Sequence, residues 1–140
     1  MSQATQLQFD CHPICGGIAE GEALVSTDDI CFYLTDPQTG MVIEDEHCLK
    51  GQSVAGKILV FPSGKGSSVV QADGLYQLMM KNNAPKALLV ERPDTVLVAT
   101  AIIMEVPMVD RVSAGFYSAV KSGDRVKVDA NSGVIEIVRE

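Results

Sequence analysis

Two short apolar runs on either side of a helical segment constrain the fold of this 140-residue chain most. The runs, KILVF at 57–61 and KALLVE at 86–91, have the length of strands and show no alternation, which is typical of strands covered on both faces. Between them, apolar residues recur at spacings of three and four from 72 to 79, so we predict a helix over 69–82 that ends before Pro85. This order of elements predicts an α/β domain in which 57–61 is a central strand.

Because β-branched and aromatic residues cluster between polar breakers, further strands are predicted at 7–9, 22–26, 30–35 and 106–112. DPQTG at 36–40 predicts a reversal of the chain. RVKVDANSGVIEIV at 125–138 predicts a β-hairpin, since Asn and Gly accept the positive φ of a tight turn. TVLVATAIIM at 95–104 fits a strand or a buried helix, and the first twenty residues otherwise have the character of a loop.

Together these elements predict a single domain over residues 1–140 with a β-rich α/β fold and one or two main helices. With 46% hydrophobic residues, a chain of this length can bury about 70% of its unfolded surface in one core. A mixed or barrel-like sheet fits the order of elements better than a regular doubly wound sheet does.

The charge of the chain argues against nucleic acid or a membrane surface as its partner. Eleven lysines and arginines stand against 18 aspartates and glutamates, which gives a net charge of −7. No apolar run reaches the roughly 18 residues of a membrane-spanning helix, and residues 1–10 lack the pattern of a secretion signal. We therefore expect a cytoplasmic chain in which the four cysteines, Cys11, Cys15, Cys31 and Cys48, stay reduced.

A turn rich in glycine and serine, FPSGKGSSV at 61–69, joins the central strand to the predicted helix. The first amides of a helix lack intrahelical partners and carry partial positive charge, so an anion is stabilised there. Gly64 and Gly66 remove the Cβ atoms that would hold a ligand away, and Ser67 and Ser68 bring hydroxyl groups to the same place. The turn is therefore a candidate anion-binding site.

The turn also has two simpler interpretations, a nucleotide-binding loop and a helix cap. A nucleotide-binding P-loop is excluded, because Gly64-Lys65 is followed by Gly66 rather than by Ser or Thr. Ser67 or Ser68 also fits the structural role of a helix N-cap, and that role is compatible with a function.

Three segments taken together resemble the small, swivelling-domain subunit of the aconitase X family. They are GIAEGEALVS at 17–26, DPQTGMVIEDEHCLKGQSVAGKILVFPSGKGSSV at 36–69 and NAPKALLVERPDTVLVATAIIMEVPMVDRV at 83–112. The resemblance leaves the first sixteen residues uncovered. It implies a swivelling β/β/α fold that caps a large subunit to form a heterodimeric hydro-lyase, inactive without that subunit.

The resemblance also implies what each subunit contributes. The iron–sulfur cluster, expected to be [4Fe-4S], and its cysteine ligands would belong to the large subunit, and this chain would hold no metal. By position, Ser67 would be the base that accepts the proton, and Lys65, Gly66 and Ser68 would bind the substrate.

Two activities are associated with the family, phosphomevalonate dehydratase of archaeal type and cis-3-hydroxy-L-proline dehydratase. The lysine-bearing PSGKGSS at 62–68 is more similar to the archaeal-type subunits. The expected reaction is therefore the loss of water from (R)-5-phosphomevalonate to give an anhydromevalonate phosphate, in the mevalonate pathway of isoprenoid biosynthesis. The hydroxyproline remains the alternative substrate.

Other chemistry was considered for the polar residues outside the turn. Cys11, His12 and Cys15 form a candidate zinc site with His47 and Cys48, although the spacing is not a standard pair of knuckles. These cysteines fit small buried or peripheral side chains better, and no C-x₂-C spacing suggests an iron–sulfur cluster in this chain.

His47 is a candidate general acid, but a histidine in an acidic run fits a solvated loop better, as does the run 44–46 itself. Asp110-Arg111 fits either a grip on a substrate anion or, more simply, a local ion pair. A second class of function also stays open, a stand-alone anion-binding or regulatory module that uses the same helix start.

Overall fold

The computed structural model describes residues 5–139, which form eight strands, three α-helices and one short 3₁₀ helix. The strands are β1 Thr5–Asp10, β2 His12–Cys15, β3 Ile18–Val25, β4 Ile58–Phe61, β5 Ala87–Val90, β6 Met108–Asp110, β7 Arg125–Asp129 and β8 Val134–Arg139. The helices are α1 Ser68–Met80, α2 Thr95–Met104 and α3 Phe116–Ala119, and the 3₁₀ helix is Phe32–Leu34. Among the residues described, no helix has the length and apolar character that crossing a membrane requires.

The strands form one mixed sheet in the order β1-β8-β7-β3-β4-β5-β6-β2. The neighbours from β3 to β6 are parallel, and the other pairs are antiparallel. Only Cys11 separates the two edge strands β1 and β2 along the chain, whereas seven interstrand steps in a flat sheet would place those edges about 34 Å apart. The sheet must therefore curl, but within residues 5–139 no ladder joins β1 to β2, so it is not a closed barrel.

The curled sheet makes three layers, with β1, β7, β8 and the short helix α3 on one face of the parallel strands and α1, α2 and the 3₁₀ helix on the other. Along β4, Ile58 and Val60 pack against the hairpin β7–β8, whereas Leu59 and Phe61 pack against α1, α2 and the 3₁₀ helix. Both faces are covered, which is why this run is continuously apolar. The β/β/α fold expected of an aconitase swivel is confirmed, as are the mixed sheet, the central position of β4 and the C-terminal hairpin.

The helices also agree with the sequence in their main features. The helix predicted over 69–82 is α1, and the ambiguous segment 95–104 is the helix α2. Asp94 decides this second case locally, because its Oδ1 accepts a hydrogen bond from the Leu97 amide at 2.8 Å and so caps the first turn.

Two predictions of local structure were wrong. Within 30–35, which was predicted as a strand, Phe32–Leu34 form a 3₁₀ helix, and Ile30 and Thr35 form isolated β-bridges. Thr35 Oγ1 donates a hydrogen bond of 2.5 Å to the Phe32 carbonyl. Residues 5–20 are mostly strand rather than loop, because β1, β2 and the start of β3 each pair with a neighbour in the sheet. An edge strand tolerates Pro13, and the register shifts between Pro13 and Cys15.

Candidate active site at the glycine-rich turn

The turn between β4 and α1 lies at the carboxyl ends of the parallel strands, the edge at which α/β sheets bind ligands. It is fixed to Ile30, whose amide donates to the Ser63 carbonyl at 2.9 Å and whose carbonyl accepts from the Lys65 amide at 3.0 Å. Gln71, buried in α1, donates from its side chain to the Gly66 carbonyl at 2.9 Å. The backbone of the turn is therefore held on both sides.

Steric constraints explain why positions 64 and 66 of the turn are both glycine. Gly66 has φ of +109°, a backbone conformation that residues with a Cβ rarely adopt. A Cβ on Gly64 would lie 2.5 Å from Oε1 of Gln71 and 3.2 Å from Oδ2 of Asp94. Both of these oxygens are buried and have no hydrogen-bond donor within the described residues. The sequence explained Gly64 by the approach of a ligand, whereas the structure shows that Gln71 and Asp94 already fill this space.

Ser67 is the N-cap of α1, as one of the two interpretations of the turn predicted. Its backbone is extended, with φ −69° and ψ 165°, and its Oγ accepts a hydrogen bond from the Val70 amide at 3.4 Å. That bond is longer than the usual range of about 2.7–3.2 Å, and the residue is exposed. The hydroxyl is thus held at the positive end of the helix and remains accessible to a ligand. Ser68 is the first residue of α1, and its side chain lies outside the described part of the structure.

The Lys65 ammonium is bound to a carboxylate of the same chain. Its Nζ lies 2.5 Å from Oε2 of Glu44, which is mostly buried, with 19% of its side chain exposed. This hydrogen bond is the main cause that raises the pKa of Lys65 above its ordinary value. Glu44, expected to be part of a solvated acidic run, is therefore the counter-ion of the lysine at the turn.

His47 is buried rather than solvated, and both of its ring nitrogens are engaged. The Leu49 amide donates to Nδ1 at 3.0 Å, so the proton is on Nε2, which donates to the Asp29 carbonyl at 3.0 Å. His47 thus fixes the loop that precedes Ile30, and it has no ring nitrogen available to act as a general acid.

Asp28, His47 and Cys48 form the one group of three potential metal ligands in the described residues, with ligand atoms within 4.8 Å of one another. The Cys48 amide donates to Asp28 Oδ2 at 2.9 Å and is the main cause that lowers the pKa of this carboxyl. The zinc site considered above is not assembled, because Asp110 binds His12 Nδ1 at 2.7 Å while His47 bonds elsewhere.

The cysteines of the chain do not fit an iron–sulfur cluster, which requires several thiolates around one centre. Burial is the main cause that raises the pKa of the Cys11 thiol to about 11, and burial likewise raises that of Cys15. Cys31 is buried, and the group of ligands described above contains one cysteine, Cys48.

At the end of β6, Asp110 is buried between two basic groups. Besides His12, its carboxylate lies 3.9 Å from Nε of Arg111, whose backbone has φ of +47°. This arrangement agrees with the simpler of the two interpretations, a local ion pair at the end of a strand.

Sequence reasoning did not identify three groups that line the turn, namely Asp29, Glu44 and Arg92. Arg92 follows β5, its Nη2 lies 3.5 Å from Oδ1 of Asp29, and its carbonyl accepts a hydrogen bond from the Ser63 hydroxyl at 2.6 Å. The position of Arg92 two residues after the buried strand β5 was the one sequence signal for it, since that position lies at the carboxyl edge of the sheet. Nothing in the spacing of Asp29 or Glu44 pointed to the turn.

Comparison with known proteins gives consistent results. A family model for the aconitase X swivel domain matches residues 8–137. The chain is 47% identical over 128 residues to the phosphomevalonate dehydratase small subunit of Thermococcus kodakarensis, covering 91% of this chain and 93% of that protein. It is 45% identical over 132 residues to the protein of the same name from Methanocella arvoryzae, covering 94% and 99%.

Solved structures agree with the sequence comparison. The crystal structure of Thermococcus kodakaraensis aconitase X in its holo-form superposes with a TM-score of 0.85 at 45% identity, covering 94% of this chain and 98% of that one. The solution NMR structure of a UPF0107 protein superposes with a TM-score of 0.83 at 44% identity and the same coverage. The resemblance stated from the sequence is thereby confirmed.

Proposed function

Because the chain belongs to the aconitase X family as a swivel domain, we propose that it is the small subunit of a phosphomevalonate dehydratase. The reaction is the removal of water from (R)-5-phosphomevalonate to give an anhydromevalonate phosphate. Relatives that bear this name are 40–47% identical to the chain, which covers most of each. The observation in the structure that carries the proposal is the exposed hydroxyl of Ser67, held at the start of α1 beside Lys65.

In this proposal Ser67 accepts the proton that the substrate loses. A serine hydroxyl has too high a pKa to act as a base unless its deprotonated form is stabilised by dipoles and cations in a site that excludes water. The Val70 amide already donates to Ser67 Oγ, and α1 directs its positive end toward the same oxygen. With Oγ deprotonated, the proton passes from the substrate carbon to Oγ, and the electrons of the C–H bond form the double bond as the C–O bond breaks. The departing hydroxide, which iron in the large subunit would stabilise as a Lewis acid, takes the proton back from Oγ and leaves as water.

Lys65, Gly66 and Ser68 bind the substrate in this proposal. Gly66 lets the backbone come close to a ligand, and the ammonium of Lys65 suits an anionic group of the substrate. Glu44 keeps that ammonium charged and in place until the substrate arrives.

The iron–sulfur cluster belongs to the large subunit in this proposal, because the cysteines described here do not fit one. A partner must then cover the turn. Exposed apolar side chains along α1 support such a contact. Val69, two residues after Ser67, is 75% exposed, and Tyr76 and Met80, farther along the helix, are 44% and 61% exposed. In this proposal the two-subunit enzyme acts in the cytoplasm.

The test is to purify the chain alone and together with its large subunit, and to measure water loss from (R)-5-phosphomevalonate and from cis-3-hydroxy-L-proline. We expect the two-subunit complex to dehydrate phosphomevalonate and the isolated chain to be inactive. Turnover of the hydroxyproline alone would overturn the choice of substrate. Tight calorimetric binding of a small anion by the isolated chain, with no activity of the complex on either substrate, would favour the stand-alone module.

A further inference from the structure

Basic residues follow each of the three parallel strands that end next to the site. Lys65 comes four residues after β4, Arg92 two residues after β5, and Arg111 directly after β6. Because the carboxyl ends of parallel strands share one edge, these cations gather on one side of a chain whose net charge is −7. Each of these cations is paired with a carboxylate, namely Glu44, Asp29 and Asp110, so an anionic ligand would bind there by taking the place of a carboxylate.

The backbone of Arg92 is joined directly to the glycine-rich turn. Its amide donates to the Pro62 carbonyl at 2.8 Å, and its carbonyl accepts from the Ser63 hydroxyl at 2.6 Å. Arg92 therefore keeps a fixed position relative to the turn, while 68% of its side chain is exposed. An exposed guanidinium on a fixed backbone is available to a ligand in the turn.

Arg92 and Lys65 are both held close to the segment Asp29-Ile30. Oδ1 of Asp29 lies 3.5 Å from Arg92 Nη2, and the next residue, Ile30, exchanges backbone hydrogen bonds with the turn on either side of Gly64. The backbone of Lys65 is bonded to Ile30, and the backbone of Arg92 is bonded to the turn two to three residues before Lys65. The two cations thus border the same space in front of the turn.

We propose that Arg92 and Lys65 together bind the phosphate group of the substrate, and that Asp29 and Glu44 are the internal counter-ions that hold these cations when the site is empty. This inference rests on the proposed function. A phosphate ester carries close to two negative charges, which two cations match, and the guanidinium can donate two parallel hydrogen bonds to it.

The loose contact between Arg92 and Asp29 supports an exchange of partners. Charge-assisted N–H···O bonds are usually about 2.7–2.9 Å long, so a separation of 3.5 Å leaves the guanidinium without a strong hydrogen bond to this carboxylate. An exposed pair of this kind contributes little to stability. Arg92 can therefore turn to a phosphate at little cost to the fold.

A purely structural role makes a different prediction. If the pair of Arg92 and Asp29 only ties two loops together, removing either charge should have the same effect. If Arg92 binds phosphate, Arg92→Ala weakens binding, whereas Asp29→Asn removes a competitor and leaves binding unchanged or tighter. Arg125 is a matched control. It lies on β7, away from the turn, and its Nε forms an exposed pair with Oε2 of Glu20 at a distance of 2.9 Å.

The experiment uses the two-subunit complex, steady-state kinetics with phosphomevalonate and calorimetric titration with inorganic phosphate. Since a hydrogen bond to a charged group is worth a factor of roughly 10 to 150 in binding, we expect Arg92→Ala to raise KM by about 10- to 100-fold, with kcat within about threefold, and Arg92→Lys to restore part of the loss. The affinity for inorganic phosphate should fall in parallel, and Arg125→Ala should change neither quantity.

The inference is overturned if Arg92→Ala leaves KM and phosphate affinity within twofold of the native complex, or if Asp29→Asn weakens both as much as Arg92→Ala does. The phosphate titration separates this result from the fate of the proposed function. A complex that dehydrates only an unphosphorylated acid refutes the proposed substrate, and its phosphate affinity with and without Arg92 still decides whether Arg92 binds phosphate.

Discussion

Nζ of Lys65 lies 2.5 Å from Oε2 of Glu44, so the lysine of the glycine-rich turn is paired with a residue 21 positions earlier in the chain. The pair joins the turn to the acidic loop and keeps a positive charge next to Ser67. The raised pKa of Lys65 determines how the stability contributed by this pair changes with pH. A group whose pKa is raised on folding stabilises the folded state fully below its unfolded pKa and loses this contribution as the pH rises through the folded pKa.

Glu44→Gln should lower the free energy of unfolding by about 0.2–1 kcal/mol at neutral pH, the usual worth of a partly exposed ion pair. Because the pKa of Lys65 is raised from 10.5, the gap between native chain and variant should stay constant from about pH 7 to 9 and close only above about pH 10.5. Urea unfolding of both proteins at a series of pH values measures this difference in the free energy of unfolding. A gap that has closed by pH 9 would contradict the pairing.

The exposed pair of Lys50 and Asp45 gives the opposite behaviour and serves as a comparison. The hydrogen bond from Lys50 lowers the pKa of Asp45 below its ordinary value of 3.8. The native chain should therefore be more stable than Asp45→Asn above about pH 4, and this difference in the free energy of unfolding should disappear as the pH falls further. The same unfolding series, extended to acid, tests this sign.

Ser67→Ala should reduce turnover of the two-subunit complex by at least about 100-fold, the usual contribution of a positioned general base. The loss of stability should be small, about 0.5–1 kcal/mol, because the capping bond to Val70 is long. Ser67→Asn separates the two roles, since Asn is an equally good N-cap but lacks the hydroxyl. Recovery of stability without recovery of turnover supports the base, and recovery of both would show that Ser67 acts only as a cap.

Gly74→Ala should destabilise the chain by roughly 1–3 kcal/mol as an overpacking substitution, although Ala is normally favoured over Gly in a helix by about 1 kcal/mol. The reason is that a Cβ on Gly74 would lie 2.3 Å from the Tyr33 amide nitrogen and 2.4 Å from the Phe32 carbonyl carbon, backbone atoms that cannot rotate away. Gln77→Ala, at an exposed position of the same helix, should change stability by less than about 0.5 kcal/mol. An increase in the urea midpoint of Gly74→Ala would refute this contact.

Alkylation by iodoacetamide at pH 8 should label Cys48 before the other three cysteines of the isolated chain. Cys48 is exposed and Cys31 is buried, while a thiol with the pKa of Cys11, about 11, is ionised in only about one molecule in 1,000 at that pH. Peptide mapping by mass spectrometry gives the order of labelling, with the urea-unfolded chain as the reference in which all four react. Early labelling of Cys11 would show that its surroundings differ from those described.

The elements that the sequence predicted correctly depend on local information. The apolar run of β4, the helical spacing in α1 and the turn residues of the β7–β8 hairpin each express short-range sterics and burial, and each is confirmed. The prediction of a strand at 30–35 was wrong because it, too, depended only on local information. Its aromatic and β-branched residues favour a strand, but close packing of the backbone against Gly74 of α1 overrides that propensity.

The residues of the candidate site likewise include some that the sequence identified and some that it did not. The glycine-rich turn, Ser67 as a possible helix cap and Lys65 beside it were all visible in one contiguous stretch. The resemblance to a known family supplied the proposed role of Ser67, which the spacing of residues could not. Asp29 and Glu44 were missed because their sequence neighbours give no sign of the turn they face. Arg92 was missed although it closely follows a strand that ends at the same edge of the sheet.

The sequence by itself determined the central strands, the helix α1, the hairpin and the turn that presents a hydroxyl at a helix start, because each depends on residues within a few positions of one another. Only the tertiary structure decided which charges meet there: Lys65 with Glu44 and Arg92 with Asp29. These partners are separated by long stretches of chain, and they come together only because parallel strands packed on a common core end at one edge.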